Sequence, residues 1–145
     1  DLSVDIGEPV WPLLQPPAKA ALARAISDRG ITMVINSGYR TIAQQLILFN
    51  HAQRNRCGIS IAALPGLSNH QSGLALDVED AAGWEPFLER HGWRRLMPQD
   101  PVHFDYLGTG TRDIRATAVR AFQQLWNLNN ANQLLTVDGT YGPEN

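Results

Sequence analysis

Cysteine is almost missing from this chain. The single thiol, Cys57, excludes an intrachain disulfide and a thiolate-built metal site. As a nucleophile Cys57 would need a paired histidine. The nearest in sequence, His51, shares or adjoins the same amphipathic helical stretch, which is a poor basis for a dyad. A charge excess is missing too: 12 basic and 14 acidic residues are interspersed, for a net charge of −2. With no basic run and no aromatic-basic interleaving, nucleic acid is not an expected partner. No apolar run approaches a membrane span, and no signal peptide precedes Asp1. What remains is a chain of 145 residues, 43% hydrophobic, long enough for one core and too short for two full-sized domains. A monomer is expected.

The chemistry is concentrated in two short stretches, Ser68-Asn-His-Gln-Ser-Gly-Leu-Ala-Leu-Asp77 and Asp100-Pro-Val-His103. His70, Asp77 and His103 are three imidazole or carboxylate donors, the usual protein complement of a catalytic zinc whose fourth position stays open for water or substrate. Asp100 is a spare carboxylate that can shuttle a proton. The segment from Gly73 to Val78 reads as a strand that presents Asp77 on one face. In Val102-His-Phe-Asp-Tyr106, His103 and Asp105 share one face, and Val102, Phe104 and Tyr106 the other. Pro101 biases Asp100 toward an extended backbone. Taken singly, each has an ordinary explanation: a hydrogen-bonded histidine, or an aspartate opening a turn. His51 inside a helical pattern and His91 near a helix end read as structural or surface groups, with no carboxylate at ligand spacing.

Ser37-Gly-Tyr-Arg40 follows the apolar run Ile31-Thr-Met-Val-Ile35, so Arg40 emerges at the end of a buried strand. Its permanently charged guanidinium suits a developing oxyanion or a substrate carboxylate. The alternative is a solvated arginine capping a helix.

Together, Ser37-Gly-Tyr-Arg40, Ser68-x-His70-x-x-Gly73-x-Ala75-x-Asp77 and Asp100-x-x-His103-Phe104 resemble the ordered motifs of the zinc D-alanyl-D-alanine carboxypeptidases. That group includes the VanY type and several phage endolysins, and the likeness covers residues 17 to 108. It implies one Zn2+ held by His70, Asp77 and His103, with Asp100 as general base and Arg40 stabilising the oxyanion. It also implies that Gln45 and Ser68 line the substrate pocket, although Gln45 reads equally as an exposed helix residue. Many members carry Glu where this chain has Asp100. Aspartate is one methylene shorter, so here the backbone must bring the carboxylate closer.

The activity implied is zinc-dependent hydrolysis in peptidoglycan stem peptides, most simply as a D-alanyl-D-alanine carboxypeptidase. The alternatives are a peptidoglycan endopeptidase of endolysin type and a non-catalytic zinc-containing cell-wall-binding protein. Such a substrate implies an exported protein of the periplasm or cell wall.

The expected fold is α+β, with a small antiparallel sheet carrying the zinc ligands and helices flanking it. Helices are expected over Ala18 to Asp28, Thr41 to Arg56 and Trp84 to His91, with a strand from Trp93 to Met97. Asp1 to Pro17, rich in proline and without periodicity, reads as a lead-in arm that Trp11 and Leu13-Leu14 can pin to a core, and Trp84 and Trp93 read as core. From Asp113 to Asn127 a further amphipathic helix precedes Asp138-Gly-Thr-Tyr-Gly-Pro143. With Ala118-Val-Arg-Ala-Phe-Gln123, this segment resembles the start of a peptidoglycan-binding repeat that lacks its last helix. Residues 109 to 145 are too few for an independent core and are expected to pack on the catalytic domain.

Overall fold

The structure, a computed structural model, describes residues 4–6 and 10–142. Parts of the lead-in arm and Pro143 of the C-terminal turn lie outside the described residues. In chain order the elements are β1 (Val4–Ile6), α1 (Pro16–Arg29), β2 (Met33–Ser37), α2 (Ile42–Gln53), a 3-10 turn (Asn69–Ser72), β3 (Ala75–Val78), α3 (Ala81–Arg90), β4 (Trp93–Arg94), β5 (His103–Tyr106) and α4 (Arg115–Asn129). The chain divides into two units: residues up to 39 with 72–112, and residues 40–71 with 113 onward.

The first unit holds a five-stranded sheet in the order β1-β2-β3-β5-β4. Three of its four pairings are antiparallel, as expected; β1 and β2 run parallel. The helix α1 connects them as a crossover, which is what a parallel pair requires. Val4–Ile6, within the lead-in arm, is therefore an edge strand. Three residues are too few to show a hydrophobic period.

Helix α1 starts at Pro16, with prolines in its first turn where their missing N–H groups cost nothing. It ends on Gly30, whose left-handed φ of 71° lets its N–H return to the Ile26 carbonyl. Ala18, Ala21, Leu22, Ala25 and Ile26 form one buried stripe. That stripe packs toward α3, whose buried face is Ala81, Trp84 and Leu88. Asp80 caps α3 and pairs with Arg29, and the Arg29 guanidinium lies 4.3 Å from the centre of the Trp84 ring. This pairing holds the Asp80 carboxyl below its usual pKa. The helix begins three residues earlier than its apolar pattern suggests because Asp80 supplies the cap.

Leu74, Leu76, Val78, Phe104 and Tyr106 line the core face of the sheet, together with buried Trp84 and Trp93. Strand β4 stops at Arg94 rather than Met97. The chain then winds into turns closed by the Asp100 N–H to the Met97 carbonyl.

The second unit has a more polar interior. Its buried residues include Gln45, Ser68, His70, Gln71 and Gln123 beside Ile42, Val119 and Leu135. Thr41 and Gln44 form a reciprocal capping box at the start of α2. The helix ends at Gln53 rather than Arg56, ahead of a segment in which Asn55, Cys57 and Gly58 all have positive φ. Cys57 is exposed. Helix α4 carries the C-terminal tail: the Gln123 amide donates to the Asp138 carboxylate and the Thr140 carbonyl and accepts from the Gly139 N–H. Asn127 exchanges two hydrogen bonds with the Leu135 backbone.

Candidate active site

In the first unit the alternation along β3 and β5 fixes what faces what. Asp77 is the register partner of His103, and Ala75 of Asp105, while Leu76 and Phe104 pair on the opposite, apolar face. Asp77, His103 and Asp105 are all buried, which polar groups tolerate only when partnered. They partner one another. His103 Nδ1 lies 3.0 Å from Asp77 Oδ1, and His103 Nε2 lies 3.0 Å from Asp105 Oδ1.

Burial alone would depress the His103 pKa, but hydrogen bonds to Asp105 and then Asp77, with their charges, outweigh it and raise it to about 9. Without a metal, a proton therefore occupies the space between Asp77 and His103. A metal ion can take that proton's place. Two ligand atoms at about 2.0–2.1 Å from one tetrahedral zinc are roughly 3.3 Å apart, so the 3.0 Å separation of Asp77 Oδ1 and His103 Nδ1 fits two ligands of one ion.

On β2, Ile35 pairs with Val78 and Ser37 with Asp77, so β2 spends one extra residue against β3. This bulge lies beside Asp77. The next residue, Gly38, has no room for a side chain, since a Cβ there would sit 2.6 Å from the Trp11 carbonyl. Trp11 accepts from the Tyr39 N–H. The glycine of the Ser37-Gly-Tyr-Arg40 stretch is thus required by a backbone contact.

Asp100 opens a turn that closes with the His103 N–H donating to the Asp100 carbonyl at 3.2 Å. Proline in the second place suits such a turn. The Asp-x-x-His spacing is therefore the length of one turn, which holds the Asp100 backbone next to His103.

The second unit gathers Arg40, Gln45, Ser68 and His70. The Arg40 N–H donates to the His70 carbonyl at 3.2 Å, and Arg40 Nη1 donates to Gln45 Oε1 at 3.3 Å. Gln45 is 1% exposed, so it is an interior residue, and its amide also donates to the Ala63 carbonyl. The His70 N–H donates to Ser68 Oγ. His70 sits on the 3-10 turn Asn69–Ser72, in the loop ahead of β3.

Gln71, not anticipated from sequence, joins these pieces. Fully buried, it donates to Gln45 Oε1 at 3.1 Å and accepts from the N–H groups of Gly66 and Ser68 at 3.2 and 3.3 Å. Asp105 was likewise not anticipated as a partner of His103, although the shared strand face was visible in the alternation. His91 does have a carboxylate partner, Asp28 at 2.7 Å, 63 positions away in the chain.

The sequence profile of the D-alanyl-D-alanine carboxypeptidases matches residues 16–108. No curated protein matches the chain. Among solved structures, a variant of the vancomycin-resistance D,D-pentapeptidase VanY from a VanB-type cassette, in complex with Zn(II), is similar in fold. Its TM-score is 0.52 and its identity 22%, over 66% of this chain and 73% of that one. VanYB in complex with D-alanine-D-alanine also matches, with a TM-score of 0.52 and 20% identity over 82% of this chain and 83% of that one.

Proposed function

Since the chain belongs to the D-alanyl-D-alanine carboxypeptidase family, we propose that it removes the terminal D-alanine from peptidoglycan stem peptides, with one zinc ion held by His70, Asp77 and His103. The observation that carries the reading is the donor set. Among the described residues these three are the group of metal-ligating type, and the Asp77–His103 pair has the spacing of two ligands of one ion. The similar VanY structure is itself a zinc complex, and VanYB is complexed with the dipeptide end.

Zinc held by His70, Asp77 and His103 would supply Lewis acidity, polarising a carbonyl and lowering the pKa of water toward neutrality. Asp100 takes the proton from the attacking water and delivers it to the departing amine. The turn that ties its carbonyl to the His103 N–H, which keeps Asp100 beside a proposed ligand, supports this role. Arg40 stabilises the oxyanion or grips the substrate carboxylate. Its backbone is held by His70 and its guanidinium by Gln45, so little freedom is lost when it engages. Ser68 lines the pocket that receives the substrate, and Gln45, itself buried, shapes that pocket through its hydrogen bond to Arg40.

Residues 17–108 form the catalytic domain in this reading, supported by the family match over 16–108. Residues 109–145 pack on it and add affinity for peptidoglycan. The enzyme acts outside the cytoplasmic membrane, in the periplasm or cell wall, as a monomer. Among the described residues no helix is long and apolar enough to cross a membrane.

Zinc content and D-alanine release from a stem pentapeptide, each measured with and without chelator, test the proposal. One zinc per chain with chelator-sensitive release of a single alanine is expected. Zinc without release, but with cleavage of internal cross-links, would make the enzyme an endopeptidase. Zinc without hydrolysis of any stem peptide would make it a binding protein.

A further inference from the structure

We propose that Asp105 is a positioning residue for the metal ligand His103, holding the imidazole as the Nε2–H tautomer so that the Nδ1 lone pair faces the metal. The inference rests on the zinc reading above and extends it to a residue that the ligand set does not include. A neutral imidazole carries one N–H and one lone pair, and its hydrogen-bond partner selects which nitrogen is which. Here the two nitrogens face different carboxylates. Nδ1 is 3.0 Å from Asp77 Oδ1, and Nε2 is 3.0 Å from Asp105 Oδ1.

The two ring nitrogens point in diverging directions, so a single ion cannot bind both. Both sides carry a carboxylate at the same distance, but the group that could hold a metal, His70, Asp77 and His103, contains the Nδ1 partner Asp77 and not Asp105. Asp105 lies on the other side and accepts from Nε2–H, the arrangement of a carboxylate-histidine-metal triad.

The strand pattern makes the placement unavoidable. Asp105 is two residues from His103 on β5 and so points to the same face. Its register partner on β3 is Ala75, a side chain small enough to leave the carboxylate room beside the ring. Asp105 is itself buried, so its charge must be matched. The imidazole N–H meets that need, and the carboxylate in return raises the electron density at Nδ1.

The test is zinc affinity of Asp105→Asn, measured by competition with a chromophoric chelator, with thermal melting of the zinc-free protein as the check on folding. Asparagine is nearly isosteric but neutral, and its amide can offer an N–H where the carboxylate offers only acceptors. Loss of such an outer partner weakens metal binding by about 10- to 100-fold, and that drop is expected with the zinc-free melt nearly unchanged.

A variant that folds and binds zinc within about twofold of the parent would overturn the assignment while leaving the zinc reading intact. A parent chain that binds no zinc at all would sink both. If the variant does not fold, histidine-selective 15N NMR on the unmodified zinc-loaded chain decides. A protonated Nε2 with metal-bonded Nδ1 at His103 supports the proposal, and the reverse overturns it.

Discussion

Replacing Gln71 by leucine should damage the second unit without leaving a void. The two side chains are close in size, so no large cavity cost arises, and the effect reduces to hydrogen bonds. Gln71 Oε1 accepts from the N–H groups of Gly66 and Ser68, and its amide donates to Gln45 Oε1. Leucine offers none of these. Gln45 Oε1 keeps the Arg40 guanidinium as a donor, so that acceptor is not orphaned. The two backbone N–H groups lose the carbonyl they share. An unsatisfied buried donor costs about 1–3 kcal/mol. The Ser68 bond is buried and the Gly66 bond only partly so, which places the total at about 2–4 kcal/mol.

Function should suffer as well, because Gln45 loses the amide that fixes its orientation against Arg40. A loss of even about 1.4 kcal/mol in transition-state stabilisation is a tenfold fall in kcat/KM. Urea unfolding should be compared at fixed free zinc, since metal binding to the folded state alone shifts the midpoint. Amide hydrogen exchange at Gly66 and Ser68 supplies the local readout. A stability change below about 1 kcal/mol with protection retained at both amides would refute the reasoning. It would mean that those donors have another partner available.

Asp100→Asn should retain zinc and lower kcat by about 10²- to 10⁴-fold; a fall in zinc content instead would make Asp100 a ligand rather than the base. In the zinc-free chain, the raised pKa of His103 contributes stability that is fully present below its unfolded value near 6.5. That stability is lost as pH rises through about 9, at most about 3 kcal/mol. Denaturation of zinc-free protein between pH 6 and 10 checks this, and a flat profile would contradict the Asp77–His103–Asp105 pairing. Zinc affinity should run the opposite way, tightening as pH rises, because the ion displaces that proton. Gly66→Ala should loosen the second unit by about 1–2 kcal/mol from backbone strain, since Gly66 has φ +82° and an added Cβ would lie 2.7 Å from Val119 Cγ2. Faster limited proteolysis of that unit is the expected readout, and unchanged cleavage would refute the strain at this position.

What the sequence disclosed follows from how local each signal is. His103 and Asp105 lie on one strand whose period of two is visible in any four residues, so their shared face and its apolar reverse are readable from sequence, whereas the pairing of Asp77 with His103 needs the cross-strand register. The Asp-x-x-His spacing was readable too, although the turn that explains it was not. Hidden were the interactions that need distant partners. Val4–Ile6 is too short to carry a pattern, and only the α1 crossover explains its parallel pairing. Gln71 looks like any polar residue of a loop until Gln45, 26 positions away, is placed against it. The Asp28–His91 pair is hidden for the same reason.

The strand period that made the ligands legible also constrains how the site can change. Leu76 and Phe104 are register partners one position along from the Asp77–His103 pair and point into the core. A slip of one residue between β3 and β5 would carry a carboxylate and an imidazole toward Leu22, Ile26 and Trp84, and two apolar side chains to the site. Burial of that core therefore fixes the register that brings Asp77 and His103 to 3.0 Å. Core substitutions that leave every proposed ligand in place should still weaken zinc binding, to the extent that they let this register relax.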